Sequence, residues 1–344
     1  MFKGTLTMDY GALREKLVGC YITIPTMFAD DSLDVNPGAI ARHVAFLRGH
    51  GVGRGNAVLL AGGAAGDFSA MSVDERIIVA ETVHAAAEGA MPLAMGAQTT
   101  NTRELVRIAK TAKNIGYDYI QVSCPFYFNH TEQDFIEYVK SAADAADIGI
   151  IIYNTFWTSA AVSFSTVEKL IEIPNVVGLK WATPRTDAME FEHVVSQFHR
   201  RVSIIDNHLM FPLSHALGAR AFEVHLSNYW PEWGIDMLKS LDEGRFAEVQ
   251  RSLVAQAMPF YHLWLEIERD FTSGDGYLDK LCMELVGLDS SRCRPPTRDV
   301  DANRARERQI QPRENRIIRR ELLDRLDGTA LQLPKVYSKH SRLT

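Results

Sequence analysis

The stretch GIIIYN at residues 149–154, followed by the amphipathic segment 164–172 and then by VVGLKW at 176–181, decides how this sequence is read. An apolar, β-branched run, a helical period and a second apolar run make one strand–helix–strand unit, whose strands must lie parallel. The same alternation continues outward. Upstream lie LVGCYITIP (17–25), NAVLLA (56–61), PLAMGAQ (92–98) and YIQVSCP (119–125), and downstream VSIIDN (202–207) and AFEVHLSN (221–228). Helical periods occupy 40–50, 73–87, 103–114 and 132–146, and Ser72 with Glu75, Asn101 before Glu104, and Thr131 with Glu132 read as caps. Eight strand–helix units in about 210 residues predict an α/β fold of the (β/α)₈ TIM-barrel type. The alternative, a doubly wound sheet, expects a glycine-rich dinucleotide turn that is missing after 17–25.

After Trp230 the strand signal stops. Helical periods at 235–241, 246–266 and 277–286 predict a C-terminal bundle, closed by the turn Arg294-Pro295-Pro296. A further helix is expected at 312–327, with Ile318, Leu322 and Leu326 on one stripe and Gly328 as its stop. The division predicted is therefore a barrel over 1–229, a bundle over 230–296 and a basic tail over 297–344 that docks on its own or a neighbouring subunit.

The 344 residues are 46% apolar and 23% charged, with a net charge of −6, which excludes disordered, collagenous and disulfide-scaffold classes. The tail carries 12 Lys+Arg against 7 Asp+Glu, the remainder 25 against 36. An acidic body offers no clustered positive face for nucleic acid. Cys20, Cys124, Cys282 and Cys293 are scattered without a C-x-x-C pair, so neither zinc nor a disulfide framework is expected, and a cytoplasmic location fits. No apolar run is long enough for a membrane span or a signal peptide.

In a barrel the working residues stand at the C-terminal ends of strands and in the loops beyond. That rule selects Lys180, Tyr153, the Phe126-Tyr127 pair, the loop Gly62-Gly63-Ala64-Ala65-Gly66-Asp67, and Glu223 with His225 on one face of the eighth run. A lysine inside an apolar strand snorkels to water, pairs with a carboxylate, or sits in the barrel mouth with its neutral amine favoured; only the last makes a nucleophile. Tyr153 is either packing with a capped hydroxyl or a proton shuttle.

Pro125-Phe126-Tyr127, Tyr153-Asn154, Gly178-Leu179-Lys180, Gly62-Gly63-x-x-Gly66-Asp67 and Ser72-x-Asp74-Glu75-Arg76 together resemble the dihydrodipicolinate synthase/N-acetylneuraminate lyase family of class I aldolases. The order and spacing hold from about Val18 to Asn228, and more loosely to about Pro296. The resemblance implies a barrel with a C-terminal bundle, assembled as a homo-oligomer, a dimer of dimers. It puts Lys180 at the Schiff-base position for pyruvate or another 2-oxo acid and Tyr153 at the proton-relay tyrosine. Tyr127 falls on the tyrosine that reaches toward a neighbour's site. Neither a metal nor an organic cofactor is implied, and the substrate carboxylate is expected on backbone N–H groups of the 63–66 loop.

Two departures narrow the function. The family's loop carries two hydroxyl residues where this chain has Ala64 and Ala65, so the hydroxyl relay is missing; Glu223 is a candidate substitute, or else it pairs with Arg220 or Arg185. His225 reads as a hydrogen-bonded barrel histidine. The arginine that dihydrodipicolinate synthases place five residues after the tyrosine is Thr158 here, which disfavours lysine biosynthesis. The neighbourhood is aromatic instead, with Phe156, Trp157, Tyr229 and Trp230, either packing or lining the pocket. The expected substrate-binding set is Ala64, Ala65, Gly66, Trp157, Glu223 and Asn228. The function expected is a Schiff-base lyase that cleaves or forms a C–C bond next to a 2-oxo acid, with pyruvate or a close analogue as one fragment and a hydrophobic or aromatic aldehyde as the other, in the manner of hydratase-aldolases. A keto-deoxy sugar acid dehydratase of the same family, and a non-catalytic 2-oxo-acid-binding scaffold, are the alternatives.

Overall fold

A computed structural model describes residues 8–155, 157, 162–182, 188–289 and 292–300. Helix α1 (Tyr10–Lys16) leads into β1 (Gly19–Ile24), α2 (Pro37–Gly49), β2 (Ala57–Ala61), α3 (Val73–Ala87), β3 (Leu93–Gly96), α4 (Thr102–Ile115), β4 (Tyr119–Ser123) and α5 (Glu132–Ala145). Then come β5 (Gly149–Thr155), α6 (Phe164–Leu170), β6 (Val176–Ala182), α7 (Ala188–Phe198), β7 (Ser203–Asp206), α8 (Phe211–Ala216) and β8 (Ala221–Phe222). The eight strands are parallel and close into a barrel, β1 meeting β8 through Gly19 opposite Ala221 and Cys20 opposite Phe222. The expected (β/α)₈ barrel is thus the fold.

Alternation along each strand builds two cores. Inward residues Tyr21, Val58, Leu60, Ala94, Tyr119, Ile151, Val177 and Ile205 fill the barrel, and Leu13 and Leu17 from α1 and its C-terminal end plug the lower opening. Outward residues such as Ile22, Leu59, Ile120, Ile152, Leu179 and Trp181 pack under the helices. Gly178 faces inward where Leu17 fills the space; a Cβ there would lie 2.5 Å from the leucine methyl. Ser72 and Glu75 form a reciprocal cap at α3 and Asn101 caps α4. At α5 the partner of Thr131 is Asp134, one turn in, rather than the adjacent Glu132.

The eighth run is shorter than its apolar pattern suggests. Pairing ends at Phe222, and a 3₁₀ turn over His225–Asn228 swings the chain into the bundle. The bundle comprises α9 (Pro231–Asp242), α10 (Phe246–Ser252), α11 (Met258–Asp270) and α12 (Tyr277–Leu285). The period expected as one helix over 246–266 is broken by a π-turn at Leu253–Ala257. Pro259 explains the break, because a proline near the start of α11 lacks the N–H that would continue the ladder and crowds the preceding turn. Trp233, Met237, Leu278 and Met283 of the bundle share one continuous apolar core with the outer face of the barrel. The expected helix at 312–327, and all but the start of the tail, lie outside the described residues.

Candidate active site

At the C-terminal ends of the strands the inward positions change from apolar to polar. On β5, Ile151 is followed inward by Tyr153 and Thr155, and on β6 Gly178 is followed by Lys180; the strand register sets Tyr153 directly beside Lys180. Lys180 is only 3% exposed, and its ammonium stands 4.5 Å from the ring centre of Tyr153 and 5.4 Å from that of Tyr21. It forms an ion pair with the Glu223 carboxylate, whose other oxygen accepts a hydrogen bond from the Thr23 hydroxyl at 2.7 Å. Of the sequence alternatives, the pairing with a carboxylate is the one found, and the paired lysine lies in the barrel mouth. Arg220 is engaged with Glu15, so it is not the partner of Glu223; Arg185 lies outside the described residues.

Electrostatics follow from burial and pairing. Burial alone would raise the Glu223 carboxyl, but Lys180 and then His225 outweigh it and hold the group below the usual carboxylate range. Burial pushes the Tyr153 phenol well above its ordinary value, reinforced by the Glu223 charge, while hydrogen bonds with Thr155 and Asn207 side chains pull the other way. A hydroxyl beside Tyr153 is thus present after all, but it comes from its own strand and not from the glycine-rich loop.

A cavity of about 230 Å³ opens over Lys180, walled by Tyr153, Glu223 and His225 and by Trp157, Tyr261 and Trp264. A second, of about 320 Å³, adjoins it along Ala64, Tyr153, Trp157 and Asp275 and extends past Phe68, Gln98, Ser123 and Phe126. Trp157 meets Trp264 edge to face, with centroids 6.4 Å apart. Of the aromatics expected near the mouth, Trp157 lines both cavities. Tyr229 is buried against Phe260, and Trp230 lies in an outer hollow beside Trp233. Phe156 and Thr158 lie outside the described residues.

The loop after β2 is a tight turn. Gly66 N–H donates to the Gly63 carbonyl at 3.1 Å and Asp67 N–H to the Ala64 carbonyl at 3.0 Å. Of the 63–66 loop, the N–H groups of Gly63, Ala64 and Ala65 make no hydrogen bond among the described residues and that of Gly66 does, so Ala64 and Ala65 are among the donors left for an anion and Gly66 is not. Asp67 adopts φ 56° and its carboxylate meets Lys280 of α12 at 2.9 Å. Gly276 passes so close to the Ala65 carbonyl that a Cβ on it would lie 2.4 Å from the oxygen.

Asn228, expected to touch substrate, lies below the mouth and lines neither cavity. Its side-chain amide donates to the Thr23 carbonyl at 3.1 Å, and its backbone carbonyl accepts from His43 at 2.9 Å, because the 3₁₀ turn has already carried the chain away from the strand direction. Tyr127 also lines neither cavity. It is 83% exposed at φ 88°, edge to face with Phe128 at 4.8 Å.

What the sequence reading missed comes from α11, from α12 and from the loop between them. His225 Nδ1 is 2.6 Å from Asp279 and its Nε2 is 3.7 Å from Asp275. Burial opposes charge on His225, but Asp279, with Asp275 and Glu223, outweighs it and pushes the imidazolium up to about 10. The available signal was the run YLDKLCM, where all seven residues are buried. Two adjacent charges in a helix that is apolar all round must each have a buried partner. Among the described residues no group of three or more His, Cys, Asp or Glu side chains is arranged to hold a metal, and no helix is long and apolar enough to cross a membrane.

Comparison with known proteins extends the geometry. Residues 30–311 match the model of the Dihydrodipicolinate synthetase family. An uncharacterised DapA-like lyase of Thermococcus kodakarensis is 26% identical over 300 residues, covering 84% of this chain and 96% of the relative. A probable 5-dehydro-4-deoxyglucarate dehydratase of Acinetobacter baumannii is 24% identical over 299 residues, covering 85% and 94%. The crystal structure of dihydrodipicolinate synthase from Oceanobacillus iheyensis superposes with a TM-score of 0.77 at 21% identity, covering 93% of this chain and 100% of that one.

Proposed function

Since the chain belongs to the dihydrodipicolinate synthetase family, whose enzymes are lyases that hold a 2-oxo acid as a lysine Schiff base without an external cofactor, we propose that it cleaves a 4-hydroxy-2-oxo acid into pyruvate and an aromatic aldehyde, with Lys180 as the nucleophile. The observation that carries this reading is the buried Lys180 ammonium beside Tyr153 and Glu223 under an aromatic-walled cavity. Glu223 takes the lysine proton, and the free amine attacks C2 of the oxo acid. Tyr153 carries the proton that lets the C2 oxygen leave as water. The resulting iminium accepts the C3–C4 bonding pair, so an aldehyde departs and an enamine remains. Protonation at C3 and hydrolysis return pyruvate and Lys180. The substrate carboxylate rests on the N–H groups of Ala64 and Ala65, and Trp157, Tyr261 and Trp264 receive an aryl group by stacking and burial.

Such an enzyme releases pyruvate and benzaldehyde in equal amounts from 4-hydroxy-2-oxo-4-phenylbutanoate, measured by coupled pyruvate detection and chromatography. No aldehyde from this or any aryl homologue, with water lost instead from 5-dehydro-4-deoxyglucarate, would move the assignment to a dehydratase. The Acinetobacter relative supports that second reading. We further propose a cytoplasmic dimer of dimers. Supporting it are four buried free thiols and the exposed, positive-φ Tyr127 beside the exposed Phe128, an aromatic pair suited to burial against a second copy. Sedimentation of the parent as a tetramer, and of Tyr127→Asp as a smaller species, checks this.

A further inference from the structure

Cleavage of a C3–C4 bond needs a base for the C4 hydroxyl, and the residues around Lys180 do not all qualify. Glu223 is tied to Lys180 and Thr23. Asp279 is fully buried and tied to His225. The Tyr153 phenol is held neutral by burial and by the Glu223 charge. Asp275, in the loop between α11 and α12, differs from all three. It lines both cavities at their junction, its side chain keeps 17% of its surface open, and its carboxylate accepts no hydrogen bond among the described residues. The nearest cation, His225 Nε2, is 3.7 Å away, too far for a hydrogen bond.

We propose that Asp275 is the acid–base residue for the C4 oxygen, a catalytic carboxylate supplied to the barrel by the C-terminal bundle. The inference rests on the lyase reading above. In the cleavage direction the Asp275 carboxylate removes the C4 hydroxyl proton. The C4–O bond becomes a carbonyl, the C3–C4 bond breaks, and its electron pair neutralises the iminium on Lys180 as the enamine. One positive and one negative charge disappear together, and the proton resides on Asp275 until it passes to water. In the condensation direction the protonated Asp275 donates to the aldehyde oxygen as C3 attacks. Its position fits both directions, because the 2-oxo acid end is held at Lys180 and the Ala64–Ala65 N–H groups while Asp275 stands where the two cavities join.

The charged and titratable groups facing Asp275 are Lys180 on β6, Tyr153 on β5, Glu223 just beyond β8, His225 in the 3₁₀ turn, Tyr277 and Asp279 on α12 and Glu268 on α11. Burial raises the Asp275 carboxyl; His225 and Lys180 oppose and Glu223 and Asp279 reinforce the rise, leaving it at about 6. A base of that strength is ionised at neutral pH and loses function as pH falls through about 6.

The test compares the full-length parent with Asp275→Asn and Asp275→Glu on 4-hydroxy-2-oxo-4-phenylbutanoate. In parallel, deuterium exchange at C3 of pyruvate is followed, a reaction that needs the Lys180 imine and no C4 chemistry. Asp275→Asn is expected to lower kcat by about 10²- to 10³-fold and to abolish the acid limb near pH 6, with pyruvate exchange within about threefold of parent. Asp275→Glu is expected to restore part of the rate together with the acid limb. Cleavage within about threefold of parent with the limb intact in Asp275→Asn overturns the proposal. An equal loss of cleavage and exchange in both variants also overturns it, and identifies a structural role. Failure of the parent to release any aldehyde, with exchange intact, overturns the proposed function instead.

Discussion

The paired ends of β5 and β6 and the first residues of α12 contribute to one site, yet they do so by different physical means. On the strands, Tyr153 and Lys180 become neighbours through a backbone register that any parallel pair obeys. The loop before α12 and the first turn of that helix reach the site residue by residue: from the loop, Asp275 to the cavity and Gly276 to the Ala65 carbonyl, and from the helix, Asp279 to His225 and Lys280 to Asp67. On the proposed function, the strands position the covalent chemistry, and the helix start with the loop before it holds the surfaces that receive the substrate. Activity should separate along that line. Damage on the strands removes the reaction, and damage at α12 leaves imine formation while altering binding or later steps.

The largest effect is expected from Lys180→Met, which removes the proposed nucleophile and should lower turnover by about 10⁴-fold or more, read as single-turnover pyruvate release. Residual turnover above about a hundredth of parent would show that the reaction does not depend on the strand-borne amine. Tyr153→Phe should cost about 10³-fold in kcat with little change in KM, because the ring still packs on Lys180 and only the proposed proton carrier is lost.

At α12, Lys280→Met leaves Asp67 buried without its cation and should destabilise the fold by about 3 kcal/mol in urea titration. Because Asp67 anchors the loop bearing the Ala64 and Ala65 N–H groups, KM for the oxo acid should rise more than kcat falls. A kcat loss matching that of Tyr153→Phe would show that the loop is part of the covalent chemistry. The smallest effect is expected from Trp264→Ala. Loss of its cavity face should raise KM for the phenyl substrate by about tenfold, near 1.4 kcal/mol, and leave pyruvate exchange unchanged.

The same division explains what was legible in the sequence. Inward and outward residues alternate along the strands, so all eight were readable as short apolar runs, and Lys180 stood out as a charge inside one. The last run was over-read because AFEVHLSN keeps its apolar character after hydrogen bonding to β7 has ended. Glu223 was legible as unusual, but its partner was not, since strand order around a closed barrel and not local sequence brings it to Lys180. His225 and Asp279 are 54 residues apart, and no period or motif links them. Asp275 carries no local signal either, because a loop carboxylate reads as solvated until the fold buries it. Gly66 and Asn228 were assigned to substrate from their place in the pattern, and hydrogen bonds within the fold had already claimed both.

On the proposed function the reaction passes through a covalent bond to Lys180. Borohydride reduction in the presence of pyruvate, followed by peptide mass mapping, tests it directly. One reduced pyruvyl group per chain is expected on the peptide bearing Lys180, absent without pyruvate and absent in Lys180→Met. Active parent protein that remains unmodified at Lys180, or carries the adduct on another lysine such as Lys280, would contradict it.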